Sequence, residues 1–134
     1  MRNENKKRQS GCPIAYALDT FGDRWSLLVI REMMLKGNKT YGEFLEADES
    51  ISTNILADRL KHLETEGVIE KARDPDNHRS FIYTLTDKGR DLAPIMLEII
   101  AWGGKYDQRP FALRAAPERL QNDRAGFEAE LRAK

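Results

Sequence analysis

The chain contains 134 residues, of which 40% are hydrophobic and 33% are charged, and its 22 basic and 22 acidic side chains leave no net charge. This length can bury the core of one ordinary domain without a disulfide or metal scaffold. No apolar run reaches the ~18 residues of a membrane helix, and residues 1–10 lack the apolar stretch of a secretory signal. The single cysteine, Cys12, cannot form an internal disulfide, which is typical of a reducing compartment. We therefore expect a cytoplasmic protein without a membrane span.

The N-terminal third predicts a basic arm followed by two helices. Residues 1–10 are expected to form a flexible arm, because they carry the basic side chains Arg2, Lys6, Lys7 and Arg8 against Glu4. The first helix is predicted to begin at Pro13, a favoured first helical position. The second begins near Asp23 and is mostly apolar, which indicates a central buried helix. Gly37 is placed to end it.

Two short helices joined by a tight turn are predicted next. Thr40-Tyr41-Gly42-Glu43 matches a capping box, in which the Thr40 hydroxyl and the Glu43 carboxylate satisfy free amides at a helix start. Ser52 is a good N-cap for a fourth helix that ends at Gly67. This arrangement is typical of a helix-turn-helix.

A β-ribbon and further helices complete the predicted fold. Residues 68–73 and 80–85 predict two strands, and the polar residues 74–79 between them are too many for a two-residue hairpin. Thr86 can cap a long helix that Pro94 should kink or split. One apolar face of that helix carries Leu92, Ile95, Met96, Ile99 and Trp102. We expect a mainly α fold with a small β-ribbon: a winged helix-turn-helix domain over residues 11–107 and a partly helical C-terminal extension over residues 108–134.

The fourth predicted helix has the pattern of a DNA recognition helix. Leu56, Leu60 and Leu63 form a narrow buried stripe on a helical wheel, and polar and cationic groups occupy the far side, where His62 is also placed. This pattern suits insertion into the major groove, where Asn pairs with adenine, Lys donates to guanine or phosphate, and Thr or Ala methyls meet thymine methyls. The predicted contact set is Ser52, Thr53, Asn54, Ala57, Asp58, Arg59 and Lys61. A solvated helix face is the alternative for any one of them. Asp58 repels phosphate, and it either accepts from a cytosine amine or restrains Arg59.

Two flanking elements supply further predicted DNA contacts. Asn77, His78 and Arg79 at the ribbon tip can reach the minor groove or its phosphates, because negative potential there attracts guanidinium. An ordinary solvent-exposed turn is the alternative. Thr40 and Tyr41, at the start of the preceding helix, are expected to contact the DNA backbone.

A series of short motifs resembles one family of bacterial regulators. The series comprises Cys12-Pro13, Ala17-Leu18-Asp19, Gly22-Asp23-Arg24-Trp25, Leu27-Leu28, Ile30-Arg31-Glu32, Tyr41-Gly42-Glu43-Phe44, Ile51-Ser52, Leu56, Arg59-Leu60, Leu63, Glu66-Gly67-Val68-Ile69, Arg79, Tyr83-Thr84-Leu85-Thr86, Lys88-Gly89, Leu92, Pro94 and Trp102-Gly103. In this order and spacing, residues 12–103 resemble the HxlR family of MarR-like winged-helix regulators. The resemblance implies a dimeric transcription factor, usually a repressor, whose fourth helix enters the major groove beside the wing. It also implies that the terminal helices form the dimer, which agrees with the apolar face of Leu92 to Trp102.

Cys12 is a candidate redox sensor. It directly precedes Pro13, where helix-end amides and the upstream basic residues favour a thiolate. The resemblance implies that some family members use a cysteine at the matching place to sense electrophiles or oxidants. Without a second cysteine, a disulfide must join two subunits or capture a small thiol. The alternative is a small apolar residue packed in the dimer core.

We expect a sequence-specific regulator that binds double-stranded DNA as a homodimer, with inverted half-sites about one helical turn apart. Neither an enzyme nor a cofactor is expected, because the two histidines, His62 and His78, have no metal-spaced partners and the sequence lacks a phosphate-binding loop. Two alternatives stay open. A winged-helix module that binds protein is favoured by the neutral charge, and a small-molecule effector could occupy a pocket lined by Trp25, Tyr16 and Trp102.

Overall fold

The computed structural model describes residues 10–134, so the predicted basic arm lies outside the described residues apart from Ser10. Within this range the elements are, in order, α1 (Pro13–Phe21), α2 (Arg24–Leu35), α3 (Tyr41–Leu45), α4 (Thr53–Thr65), β1 (Ile69–Asp74), β2 (Asn77–Leu85), α5 (Asp87–Arg90), α6 (Ala93–Tyr106), α7 (Ala115–Asn122) and α8 (Arg124–Ala133). The predicted class, mainly α with a two-stranded antiparallel ribbon, is confirmed.

Side-chain caps fix the helix starts that the sequence predicts. Asp23, Thr40 and Ser52 are the N-caps of α2, α3 and α4, and each side chain accepts a hydrogen bond from the backbone N–H three residues further on. Gly37 and Gly67 follow α2 and α4 with φ values of 70° and 78°. Only glycine adopts this left-handed conformation without a steric cost, so both glycines separate consecutive elements as predicted.

The tip of the ribbon is tighter than the sequence indicates. Arg73 pairs with Phe81, but the register then shifts and Asp74 pairs with Asn77. Only residues 75–76 connect the strands, so the prediction that this segment is too long for a two-residue hairpin was wrong. The bulge takes up the extra residues of β2.

Pro94 separates two helices, as predicted. Thr86 caps the short α5, and Pro94 lies in the first turn of α6. Leu92 directly precedes the first residue of α6 and is buried. Met96, on the buried face of α6, is only 5% exposed. Both side chains belong to the core of the chain, whereas Ile95, Ile99 and Trp102 are exposed, which corrects the prediction that all five share one apolar face.

A single hydrophobic core joins the winged-helix elements to the C-terminal helices. α2 crosses its centre, where Ile30 and Met34 are fully buried. Leu120 of α7 and the α8 residues Phe127 and Leu131 are buried in the same cluster. α7 and α8 therefore pack as part of the core. None of the helices within residues 10–134 has the length and apolar character needed to span a membrane.

Candidate nucleic-acid interface

One side of α4 is held by leucines and the other faces solvent. Leu56, Leu60 and Leu63 are buried, as the wheel predicts. The side chains predicted to contact DNA lie on the solvent-facing side, which we call the open side. All but one of them are exposed: Ser52, Thr53, Asn54, Ala57, Asp58 and Lys61. The structure therefore brings a continuous polar surface together on one helix.

Arg59, the remaining member of the predicted set, is held by carboxylates of its own chain. Its Nε donates to Oδ2 of Asp58 at 3.0 Å, and its Nη1 donates to Oδ1 of Asp23 at 3.1 Å. Burial raises the pKa of Asp23, but hydrogen bonds from Ser26 and the charge of Arg59 outweigh it, so this pKa lies below its usual range. The restraint of Arg59 by Asp58 that the sequence allows is observed, and Arg59 braces α4 against the start of α2.

His62 faces the first helix instead of the solvent side of α4. Its Nε2 lies 2.9 Å from the carbonyl oxygen of Thr20, which can only accept, so Nε2 carries the hydrogen. The predicted placement of His62 on the far side was wrong. The sequence could not reveal this contact, because the two residues lie 42 positions apart.

The start of α3 is tied to both α4 and the ribbon. The Tyr41 hydroxyl donates to the carbonyl oxygen of Thr53 at 3.1 Å. Thr40 and Glu43 form the predicted capping box. The backbone N–H of Tyr83 in β2 donates to the carbonyl of the residue before this box, Lys39, at 2.8 Å. Lys39 is exposed next to Thr40 and Tyr41, the two residues predicted to contact the DNA backbone. It is not among the residues that the sequence predicts to contact DNA.

The wing exposes the three predicted residues. Asn77, His78 and Arg79 are all solvent-exposed at the beginning of β2. The Asn77 side chain is engaged locally, because its Oδ1 accepts from the backbone N–H of Arg79 and its Nδ2 donates to Ser80, both at 3.2 Å. No partner of the Arg79 guanidinium is found among residues 10–134. Of the three, Arg79 is the side chain with its charge available.

A second cationic face of the wing was missed by the sequence analysis. The Lys71 Nζ lies 4.5 Å and the Arg73 guanidinium 4.9 Å from the ring centre of Phe81. Both cations are exposed. The period-two spacing of residues 71 and 73 on one strand is the signal that could have found this face.

A partly buried charge cluster ties α2 to the turn of the helix-turn-helix. Arg31 donates twice to Glu49, both at 2.8 Å, and twice to Glu32, at 2.7 and 3.2 Å, and Asn38 donates to Glu32 at 2.8 Å. The Glu32 side chain is only 3% exposed. Hydrogen bonds from Arg31, helped by its charge, lower the pKa of Glu49 to about 2. The cluster fixes the position of the turn that sets the angle between α3 and α4.

Two surface features bear on assembly. Cys12 is exposed and directly precedes α1, as predicted. The outer side of α6 carries an exposed apolar row that we call the α6 stripe: Ile95, Ile99, Trp102 and Tyr106. Trp102 is 70% exposed, which is unusual for a tryptophan without a partner surface.

Comparison with known proteins gives the family. The model of the HxlR-like helix-turn-helix family matches residues 20–110, more than half of the chain. The chain belongs to this family. The regulator YodB of Bacillus subtilis is 36% identical over 96 residues, which cover 71% of this chain and 85% of YodB.

Solved structures share the fold of this HxlR-like protein. The crystal structure of PA1607 has a TM-score of 0.70 at 36% identity, and the match covers 81% of this chain and 75% of PA1607. The redox regulator HypR in its oxidized form has a TM-score of 0.61 at 30% identity, and the match covers 70% of this chain and 96% of HypR. The winged helix-turn-helix and the family are therefore as predicted, and the relatives are transcriptional regulators and not enzymes.

Proposed function

We propose that the protein is a repressor that binds an inverted-repeat operator as a homodimer and acts in the cytoplasm, where chromosomal DNA lies. The observation that carries this proposal is the open side of α4, a helix that buries three leucines and presents short polar groups and a lysine to solvent. This geometry matches the needs of a helix in the major groove, which is wide enough for one helix and displays a distinct pattern for each base pair.

In the proposed complex, different parts of α4 have different tasks. Asn54 contacts an adenine edge, and the methyl groups of Thr53 and Ala57 meet thymine. Lys61 donates to guanine or phosphate. Arg59 keeps α4 at its angle to α2, since two carboxylates already engage it.

The wing and the start of α3 supply backbone contacts in this proposal. Arg79 enters the minor groove or pairs with phosphate, and His78 supports it. Lys71 and Arg73 add positive charge along the ribbon, which compensates for the neutral charge of the whole chain. The amides at the start of α3, with Thr40 and Tyr41, meet the phosphates of the same site.

The α6 stripe is the proposed centre of the dimer. Ile14 and Leu18 of α1 are also exposed, at 69% and 58%. In the chain, α1 precedes the DNA-binding elements and α6 follows them. Pairing these faces around a two-fold axis would bury apolar surface that a monomer leaves in water. The same axis would present two copies of α4 to successive major grooves.

Selection of bound DNA from a random pool, followed by footprinting and salt titration, tests this proposal. We expect an inverted repeat whose affinity falls steeply with salt. Asn54→Ala should weaken binding by about 5- to 150-fold, because one bidentate base contact contributes about 1–3 kcal/mol, and Arg79→Ala should weaken it as well. Asn122→Ala, the same change at an exposed residue of α7, is the control and should bind normally.

The alternative is a winged-helix module that binds protein. It would be supported if no sequence were enriched while the protein stays folded and dimeric. The zero net charge is the observation that favours it.

We further propose that Cys12 is a redox sensor. YodB has been solved in a reduced and a diamide-treated form, and HypR in an oxidized form, so redox chemistry occurs among relatives of this chain. Diamide would accept two electrons and two protons from two Cys12 thiols, one in each subunit, or from Cys12 and a small thiol, and an S–S bond would form. The exposed position of Cys12 permits either reaction.

Cys12→Ser should bind the operator as tightly as the unmodified protein but keep its affinity after diamide treatment. Gel-shift titrations with and without diamide measure this difference, and non-reducing electrophoresis identifies the linked species. Release of the serine variant by diamide to the same extent as the unmodified protein would exclude Cys12 as the sensor.

A further inference from the structure

Asp58 places a carboxylate on the open side of α4. Its side chain is 68% exposed. It lies one helical turn after Asn54 and almost one turn before Lys61, so the three side chains project from the same side of the helix. A carboxylate in this row is repelled by the phosphates of DNA, and this repulsion costs affinity unless the carboxylate makes a contact of its own.

The two oxygens of this carboxylate are engaged differently. Oδ2 accepts from the Nε of Arg59 at 3.0 Å and also from its Nη2. Oδ1 has no hydrogen-bond partner among the residues that the structure describes. An ionised carboxylate can accept several hydrogen bonds through both oxygens. Asp58 therefore holds Arg59 with one oxygen and keeps the other free to accept from a ligand.

The free oxygen is held in place by a series of bonds that begins in α2. The Ser26 N–H donates to Oδ2 of Asp23 at 2.9 Å, and Oδ1 of Asp23 accepts from Arg59 Nη1 at 3.1 Å. Arg59 in turn restrains Asp58. Because this side chain is already restrained, it loses less conformational freedom on binding than an unpartnered exposed aspartate would. The positive charge of Arg59 also offsets part of the repulsion between Asp58 and phosphate.

We propose that Asp58 determines part of the operator sequence by accepting a hydrogen bond from the exocyclic amine of a cytosine. Cytosine presents its N4 donor in the major groove, whereas guanine and thymine present acceptors there, which repel a carboxylate. Adenine presents a donor beside an acceptor, and this pair suits a side chain that both donates and accepts. The inference rests on the proposed function, because it names the base that one residue of the DNA-binding surface reads.

The geometry of α4 limits where this cytosine lies. Asp58 and Asn54 are four residues apart, which is about 6 Å along a helix axis that rises 1.5 Å per residue. Successive base pairs are stacked about 3.4 Å apart. We therefore expect the cytosine within about two base pairs of the position that Asn54→Ala affects, in each half-site of the inverted repeat.

Selection of bound DNA by the full chain and by its Asp58→Asn variant tests the inference. Asparagine has nearly the same shape but donates as well as accepts, so the preferred base at this position should change from cytosine to adenine. Asp58→Ala should show no preference there. If Asp58 only restrained Arg59, its replacement would change the affinity for all operator variants by the same factor and leave the preferred base unchanged.

Asp48→Asn is the matched control, because it removes the same charge from an exposed residue in the turn before α4. This variant should keep the cytosine preference. A second measurement needs no variant: the selected cytosine is replaced by N4-methylcytosine, which still pairs with guanine but carries a methyl group in place of the amine hydrogen in the groove. Affinity of the unmodified protein should fall about tenfold or more, and the same replacement outside the half-sites should have no effect.

The outcomes separate this inference from the proposed function. An operator without such a cytosine, an unchanged base preference in a folded Asp58→Asn variant, or full affinity for the methylated operator would overturn the inference and leave the DNA-binding regulator standing. If the unmodified protein enriched no sequence at all, the proposed function would be refuted, and the cytosine contact with it.

Discussion

Replacing Leu131 with alanine is expected to lower the free energy of unfolding by about 2–5 kcal/mol, although the residue lies three positions from the end of the chain. Its side chain is fully buried in the core that α2 and α6 share with α8. Truncation removes apolar contacts and leaves a cavity, and both effects destabilise the fold. Urea unfolding followed by circular dichroism measures the change.

Leu113→Ala provides the matched control, because Leu113 is 86% exposed in the segment between α6 and α7. The same chemical change there should alter the free energy of unfolding by less than about 0.5 kcal/mol. If Leu131→Ala were equally harmless, α8 would be an appendage and not part of the core.

The elements that the sequence predicts well are those with local signals. The N-caps Asp23, Thr40 and Ser52 satisfy amides within three residues, and the left-handed glycines Gly37 and Gly67 act through their own backbone. The leucine stripe of α4 repeats with the helical period. Such features depend on neighbours in the chain, so their positions follow from the sequence alone.

The errors arise where distant residues decide the outcome. His62 and Thr20 are 42 residues apart, and Arg59 and Asp23 are 36 residues apart. A helical wheel places a polar side chain on the open side of a helix, but it cannot show that another helix covers part of that side. For the same reason, the sequence does not separate the exposed side of α6 from its buried side, since Met96 contacts the core only after the chain has folded back.

These long-range contacts also show how α4 is held. Arg59 and His62 connect one edge of the helix to α1 and the start of α2, and Tyr41 connects its first turn to α3. Within residues 10–134, the side chains of the open side make only local hydrogen bonds, those of Ser52 with the Ile55 N–H and of Asp58 with Arg59. Few polar groups of this surface therefore stabilise the fold, so most of them are available to a partner, as a DNA-contacting helix requires.

Replacing Arg31 with methionine is expected to destabilise the protein by about 2–4 kcal/mol at neutral pH. Among the residues that the structure describes, the change leaves the buried Glu32 carboxylate with only Asn38 and, at 3.6 Å, Lys36 to compensate it. Removing one partner of a buried ion pair costs about 3–5 kcal/mol, and the cost is smaller here because Arg31 and Glu49 are each about a quarter exposed. Urea unfolding as a function of pH measures the effect.

The pH profile separates this ion pairing from simple loss of packing. Arg31 lowers the pKa of Glu49 from its ordinary 4.5 to about 2. The stability from this pair is therefore fully present above pH 4.5 and is lost as the pH falls towards 2. The difference between the unmodified protein and Arg31→Met should shrink over that window.

Arg109→Met is the control, because Arg109 also makes two hydrogen bonds to a carboxylate, that of Asp107, at 2.7 Å. Arg109 is 66% exposed and Asp107 lies only two positions away in the chain, so their pairing persists in the unfolded chain and contributes little to stability. Arg109→Met should leave the midpoint of unfolding unchanged at every pH. A pH-independent loss in Arg31→Met would instead assign the role of Arg31 to the packing of its methylene groups, and the turn between α3 and α4 would not owe its position to charge.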